Sequence, residues 1–76
     1  MPTYPREVVA NILFNYRRCK PKIAAKHIIK HFVGQASNLA YTTKVAVLIQ
    51  HTRDLNMSFE FAGKYIYTLI RKDLDL

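Results

Sequence analysis

Apolar and polar residues follow a helical period in four successive segments of this chain. Between Pro21 and Val33, alanines and branched apolar residues fall on one side of a helix, and lysines and histidines fall on the other. Pro21 suits the first turn, because its ring fixes φ near the helical value and its missing N–H is not needed there. Gly34 suits the position after the last turn, where the left-handed conformation is common. The segment predicts an amphipathic helix over residues 21–33.

The same period predicts three further helices, over residues 5–18, 38–54 and 59–72. Ser58 is a suitable N-cap for the last of them, and Asn56 can end the third in the left-handed conformation. No segment shows the sustained period-two alternation of a strand, apart from two short stretches that fit the last helix better. The predicted fold class is all-α, a small bundle of four helices that forms a single domain over the 76 residues.

The third predicted helix is apolar on several sides. Its main stripe includes Val45, Leu48 and Ile49, whereas Leu39 and Val47 project from two other faces. A helix that is apolar on several sides is usually packed by neighbours on those sides. The sequence therefore predicts that the other helices surround a central third helix.

Charge is distributed unevenly along the chain. The net charge is +7, from 12 lysines and arginines against 5 aspartates and glutamates. Every charged residue between Glu7 and Asp54 is basic. Such asymmetry indicates a polyanionic partner more often than a surface that serves only solubility.

Six cations are concentrated at the junction of the first two helices and along the second. Three of these lysines are spaced i, i+4, i+8 on one edge of the second helix and span ~12 Å along its axis. Lysine binds phosphate as a point charge, so a lysine-rich surface favours backbone contact with little reading of sequence. The predicted nucleic-acid-binding residues are Arg17, Arg18, Lys20, Lys22, Lys26 and Lys30.

Four further residues are predicted as secondary contacts. His27 and His31 share the lysine side of the second helix and can add positive charge in mildly acidic solution. Their i, i+4 spacing can hold a metal, but the chain offers only two further candidate ligands, so no metal site is predicted. The secondary contacts are His27, His31, Asn38 and Lys44.

The short segment between the second and third helices contains glycine, as a helix-turn-helix requires. Asn38, Thr42 and Thr43 near the start of the third helix are residue types that can meet base edges. Against this, the third helix is too apolar on several faces to lie in a DNA groove. An ordinary helical hairpin is the favoured interpretation.

Three aromatic residues lie off the apolar stripes, namely Phe14, Phe61 and Tyr67. Such residues serve either as stacking platforms for bases or as part of a buried subunit interface. A domain of 76 residues buries a small core, so additional burial between subunits would stabilise it. These three residues are the candidate interface of a predicted homodimer.

Catalysis is not expected from this sequence. Its five acidic residues are not paired at a useful spacing, and its two glycines form no phosphate-binding loop. Neither an enzyme activity nor a cofactor is predicted. The lone Cys19, the absence of an apolar run of ~18 residues and a start without a signal-peptide pattern predict an intracellular protein, cytoplasmic or nuclear, without membrane association.

The leading hypothesis is a small basic protein that contacts the phosphate backbone of nucleic acid, largely without sequence specificity, as a homodimer. The alternative is a helical protein–protein interaction module, an adaptor or regulator that binds an acidic or amphipathic partner segment. The sequence is compatible with DNA or RNA and with a duplex or a single strand.

Overall fold

Four helices make up most of the protein in a computed structural model, which describes residues 5–33 and 39–75. The helices are α1 (Pro5–Asn15), α2 (Pro21–Val33), α3 (Leu39–Asp54) and α4 (Phe59–Leu74). Neither described range contains a strand. The predicted all-α class is confirmed. The predicted contact residue Asn38 and the predicted cap Gly34 lie outside the described residues.

The helices pack mainly as two antiparallel pairs, α1 with α4 and α2 with α3. Phe14, near the end of α1, lies against Phe59 at the start of α4. Arg53, near the end of α3, contacts Cys19 just before the start of α2. Contacts of α1 with α2 and of α3 with α4 are less extensive. The predicted central position of the third helix is therefore not confirmed.

Small and branched apolar side chains from all four helices form the core. The buried apolar residues are Val9, Leu13, Ala24, Ala25, Ile28, Ile29, Val45, Ile49, Ala62, Ile66 and Ile70. On α3, Leu39 and Val47 are 62% and 63% exposed. These two apolar residues of α3 therefore lie toward solvent.

Helices α1 and α4 approach each other closely where Gly63 faces Ala10. A Cβ atom at position 63 would lie 2.7 Å from the Ala10 backbone nitrogen and 2.8 Å from its Cα. Because these distances are well below van der Waals contact, this helix crossing requires glycine at position 63. At this crossing the backbone of α4 lies directly against α1, the helix with which it interacts most extensively.

The first helix ends at Asn15, earlier than the predicted residue 18. The Arg17 N–H donates to the Phe14 carbonyl at 3.2 Å, an i to i+3 bond of the kind that tightens the last turn of a helix. The Cys19 N–H donates to the Tyr16 carbonyl at 3.0 Å in the same way. Residues 16–20 therefore form a tight connection to α2.

The end of α3 and the start of α4 follow the predicted capping. Asn56 has φ of 54°, and the Met57 N–H donates to the Thr52 carbonyl at 3.0 Å. This is the six-to-one bond of a Schellman motif, so the predicted left-handed cap is confirmed. The Ser58 hydroxyl accepts a hydrogen bond from the Phe61 N–H at 3.1 Å, which confirms the predicted N-cap.

Helix α4 continues to Leu74, two residues past the predicted end. Asp73 accepts hydrogen bonds from side chains of α3, and Leu74 packs against the core. Asp75 then ends the helix with φ of 56°. These tertiary contacts, which the sequence pattern does not reveal, keep the last turn helical.

None of the helices in the described part of the chain is both long and apolar enough to cross a membrane.

Candidate nucleic-acid interface

The six cations predicted to contact nucleic acid are all exposed. Three of them follow the outer edge of α2, and the other three lie in the connection between α1 and α2. Burial of Ala24, Ala25, Ile28 and Ile29 on the inner side of α2 fixes which side of the helix faces solvent. We call the resulting set the basic surface: Arg17, Arg18, Lys20, Lys22, Lys26 and Lys30.

Five of the six cations of the basic surface lack a partner within residues 5–33 and 39–75. In those ranges the four lysines and Arg18 form no side-chain hydrogen bond and no ion pair. Arg17 differs, because its Nη1 donates to the Phe14 carbonyl at 2.9 Å and its guanidinium carbon lies 4.2 Å from the Phe14 ring centroid. Its charge is held at the edge of the basic surface, over an aromatic ring.

Arg53 holds the connection between α1 and α2 in place. Its Nη1 donates to the Cys19 carbonyl at 2.8 Å, and its Nη2 donates to the Tyr16 carbonyl at 3.1 Å. A guanidinium has several donors in a rigid fork and no acceptor, so one arginine can bond two carbonyl groups at a helix end at the same time. Arg53 therefore fixes the backbone that carries three of the cations.

This role of Arg53 was not predicted from the sequence. A signal was present, because Arg53 follows Ile49 by four residues and so lies near the buried side of α3. The side chain is half-buried in the structure. Periodicity can indicate that an arginine faces inward, but it does not reveal which carbonyls the arginine bonds.

The acidic side chains have other neighbours. Glu7 and Glu60 line one pocket between α1 and α4, together with Lys64. Asp54 accepts a hydrogen bond from the Gln50 amide at 2.8 Å. Asp73, on α4, contacts side chains of α3. As a result, no acidic residue of the described chain neutralises the lysines of the basic surface.

Lys44, a predicted secondary contact, is paired with an acid. Its Nζ lies 2.9 Å from Asp73 Oδ2, and the Tyr41 hydroxyl donates to the same oxygen at 3.2 Å. The hydrogen bond from Lys44 is the main cause that lowers the pKa of Asp73. Burial, reinforced by the negative charge of Asp73, raises the pKa of Tyr41 to about 12. Lys44 thus belongs to a polar network between α3 and α4.

The two histidines of α2 border a groove between α1 and α2. The imidazole of His27 stacks on the Tyr16 ring, with a centroid distance of 4.2 Å and an interplanar angle of 15°. His31 meets Phe32 edge to face at 5.0 Å. The groove has a volume of about 520 Å³, and Lys30 and Asn15 also line it.

The helix-turn-helix interpretation gains no support from the start of α3. Thr42 is buried, so its side chain does not face a ligand. The Thr43 hydroxyl donates to the Leu39 carbonyl at 2.9 Å, within its own helix. The third residue of this set, Asn38, is outside the described ranges.

The three aromatic residues predicted to form an interface differ in exposure. Phe14 is 48% exposed and meets Phe59 edge to face at 5.4 Å, and Phe61 is 60% exposed. Tyr67 is half-buried and packs on Phe32, with a centroid distance of 5.5 Å. Phe14 and Phe61 therefore remain accessible to a second molecule, whereas Tyr67 contributes to packing within the domain.

Within residues 5–33 and 39–75, histidine, cysteine and acidic side chains do not form a group of three that could hold a metal ion. Comparisons with protein-family models, curated proteins and solved structures found no match for this chain.

Proposed function

We propose that this protein binds nucleic acid, largely without sequence specificity, by contacting the phosphate backbone through its basic surface. One observation carries the proposal: the four lysines and Arg18 are exposed and lack an acidic partner in the described chain. Cations that serve only solubility are commonly interspersed with acids. Here no acidic residue of the described ranges forms an ion pair with these five cations, so their positive charge is available to an external polyanion.

The dimensions of α2 suit contact with several phosphates. Lys22, Lys26 and Lys30 span ~12 Å, a length over which duplex DNA carries about seven phosphate charges. All three project from one helix whose inner side is buried, so little backbone conformational entropy is lost when the surface meets a regular polyanion. Lysine-dominated contact gives affinity without base discrimination.

Binding to nucleic acid should weaken steeply with salt. If all six cations contact phosphates of a duplex, the log–log slope should be about −5.4, from six contacts at ~0.9 each. Affinity for a random duplex should then fall roughly a thousand-fold between about 50 and about 200 mM salt. Fluorescence anisotropy with labelled random duplex and single-stranded probes measures this slope. Absence of binding to both probes at low salt contradicts the proposal.

We also propose a homodimer formed through the face where α1 meets α4. This face presents Phe14 and Phe61, and acidic and basic side chains occur side by side in its pocket, among them Glu60 and Lys64. A two-fold interface brings each patch against its own copy, so a patch that carries both charges can place acids opposite cations. Apart from Arg17, which lies over Phe14, the basic surface of each protomer would remain available to a polyanion.

Dimerisation is tested by sedimentation equilibrium at tens of micromolar protein. Phe61→Ala should shift the protein toward monomer, because it removes an aromatic side chain from the centre of the proposed interface. Val47→Ala is the matched control, since Val47 is comparably exposed but lies on α3. A wild-type protein that is entirely monomeric, or a Phe61→Ala variant that dimerises as tightly as the wild type, contradicts this interface.

The alternative function is a protein interaction module, and the position of Arg17 favours it. Arg17 lies over Phe14, where the basic surface adjoins exposed aromatic side chains. An acidic amphipathic helix could contact cations and aromatics there at the same time. Such a module should show no retarded nucleic acid in a gel shift at physiological salt, which distinguishes it from the proposed function.

A further inference from the structure

We propose that the groove between α1 and α2 binds an unpaired nucleotide of a single strand, with its base stacked on His27 and its phosphate at Lys30. This inference rests on the proposed function and specifies the form of nucleic acid that it favours. The groove is lined by Ile12, Asn15, Tyr16, His27, Lys30 and His31.

The stack of Tyr16 and His27 provides the platform for a base. The half-buried Tyr16 covers one face of the imidazole at 4.2 Å. His27 is nevertheless exposed, and within the described chain it has no hydrogen bond and no second ring partner. The exposed part of its ring lines the groove, where it can stack on a nucleobase, an interaction that aromatic side chains offer to every base type.

Positive and polar groups surround this platform. Lys30 lines the same groove and lies three residues after His27, so both side chains occupy neighbouring positions on α2. An ammonium group at this position can contact the phosphate of a nucleotide whose base stacks on His27. On the α1 side, the Asn15 amide has both donors and an acceptor for the edge of a base.

The platform is held in place before any ligand binds. Tyr16 packs against the core, and its carbonyl accepts a hydrogen bond from Arg53. His27 lies in the middle of α2, between turns whose inner residues are buried. Because neither ring needs a new backbone conformation to accept a base, binding should cost little ordering entropy.

An unpaired strand suits this groove better than a duplex. In a duplex both faces of each base are covered by stacking, whereas an unpaired base can leave the strand and present a face to a protein. The groove is open to solvent, so a base that has left its strand can reach the imidazole of His27. Duplex and single strand should therefore share the phosphate contacts, and a single strand alone should gain the stacked base.

The test compares His27→Ala, His27→Phe and the control His51→Ala. His51 is an exposed histidine on α3 that does not line the groove. Each variant is titrated with oligo-dT, oligo-U and a random duplex at fixed low salt and neutral pH. Circular dichroism confirms that each variant is folded. The two single strands show whether the site accepts DNA, RNA or both.

His27→Ala should weaken single-strand binding by about five-fold or more, the loss of one stacked base, and leave duplex binding within about two-fold. His27→Phe should retain single-strand binding, because a phenyl ring preserves the stacking surface. His51→Ala should match the wild type with every probe. Equal effects of His27→Ala on both kinds of probe, or none on either, overturn the nucleotide site while leaving the proposed function standing. If the wild type binds no probe, the proposed function fails and this inference fails with it.

Discussion

Replacing Ile49 with alanine should lower the free energy of unfolding by about 2–5 kcal/mol. Ile49 is 1% exposed and belongs to the core to which all four helices contribute. Truncation removes several buried carbon atoms and leaves a cavity that a close-packed interior fills only in part. A domain of this size has a total stability of only about 5–10 kcal/mol, so the variant should be partly unfolded at modest denaturant concentration.

The two residues that precede Ile49 on α3 are its matched controls. Leu48 is half-buried and Val47 is 63% exposed. Leu48→Ala should cost less than Ile49→Ala, and Val47→Ala should change stability by no more than about 0.5 kcal/mol. Urea denaturation followed by circular dichroism measures all three. A cost for Val47→Ala equal to that for Ile49→Ala contradicts the exposed position of Val47 on α3 and would favour a central third helix.

Gly63→Val should lower the free energy of unfolding by about 3 kcal/mol. A Cβ atom at this position would lie 2.7 Å from a backbone nitrogen of α1, and backbone yields less readily than the tip of a flexible side chain. Glycine within a helix ordinarily costs up to about 1 kcal/mol relative to alanine, so a valine that fitted here would be favourable or neutral. The steric conflict with Ala10 reverses that expectation.

Thr68→Val is the control, because it introduces the same side chain at an exposed position of α4 that does not line the pocket between α1 and α4. It should cost no more than about 0.5 kcal/mol, in line with a surface substitution. Thermal unfolding should separate the two variants clearly, since 1 kcal/mol shifts the midpoint of a domain of this size by roughly 4–8 °C. A Gly63→Val variant as stable as the wild type is incompatible with the close crossing of α1 and α4.

The helices were predictable because their signals are local. Pro21 marks the start of α2, and Asn56 and Ser58 mark the end of α3 and the start of α4, each through a preference of its own backbone or side chain. The pairing of the helices was not predictable in this way. Leu39 and Val47 are apolar yet exposed, and periodicity reports which residues share a face without reporting which neighbour covers that face.

The candidate site shows the same division between local and tertiary information. The spacing of Lys22, Lys26 and Lys30 predicted an exposed edge of α2, and these lysines are exposed. The pairing of Lys44 with Asp73 and the bonds from Arg53 to the connection before α2 join residues about thirty positions apart in sequence. Such contacts depend on tertiary packing, so a pattern read along the chain does not contain them.

The salt dependence of duplex binding by the Lys26→Ala/Lys30→Ala double variant tests the central claim most directly. Both side chains are exposed on α2, so the variant should remain folded. Loss of two phosphate contacts should reduce the log–log salt slope by about 1.8, at ~0.9 per contact, and weaken binding equally for unrelated sequences. Lys72→Ala, which removes an exposed lysine of α4, should leave the slope unchanged. A folded double variant with unaltered affinity and slope contradicts the role of the basic surface in binding nucleic acid.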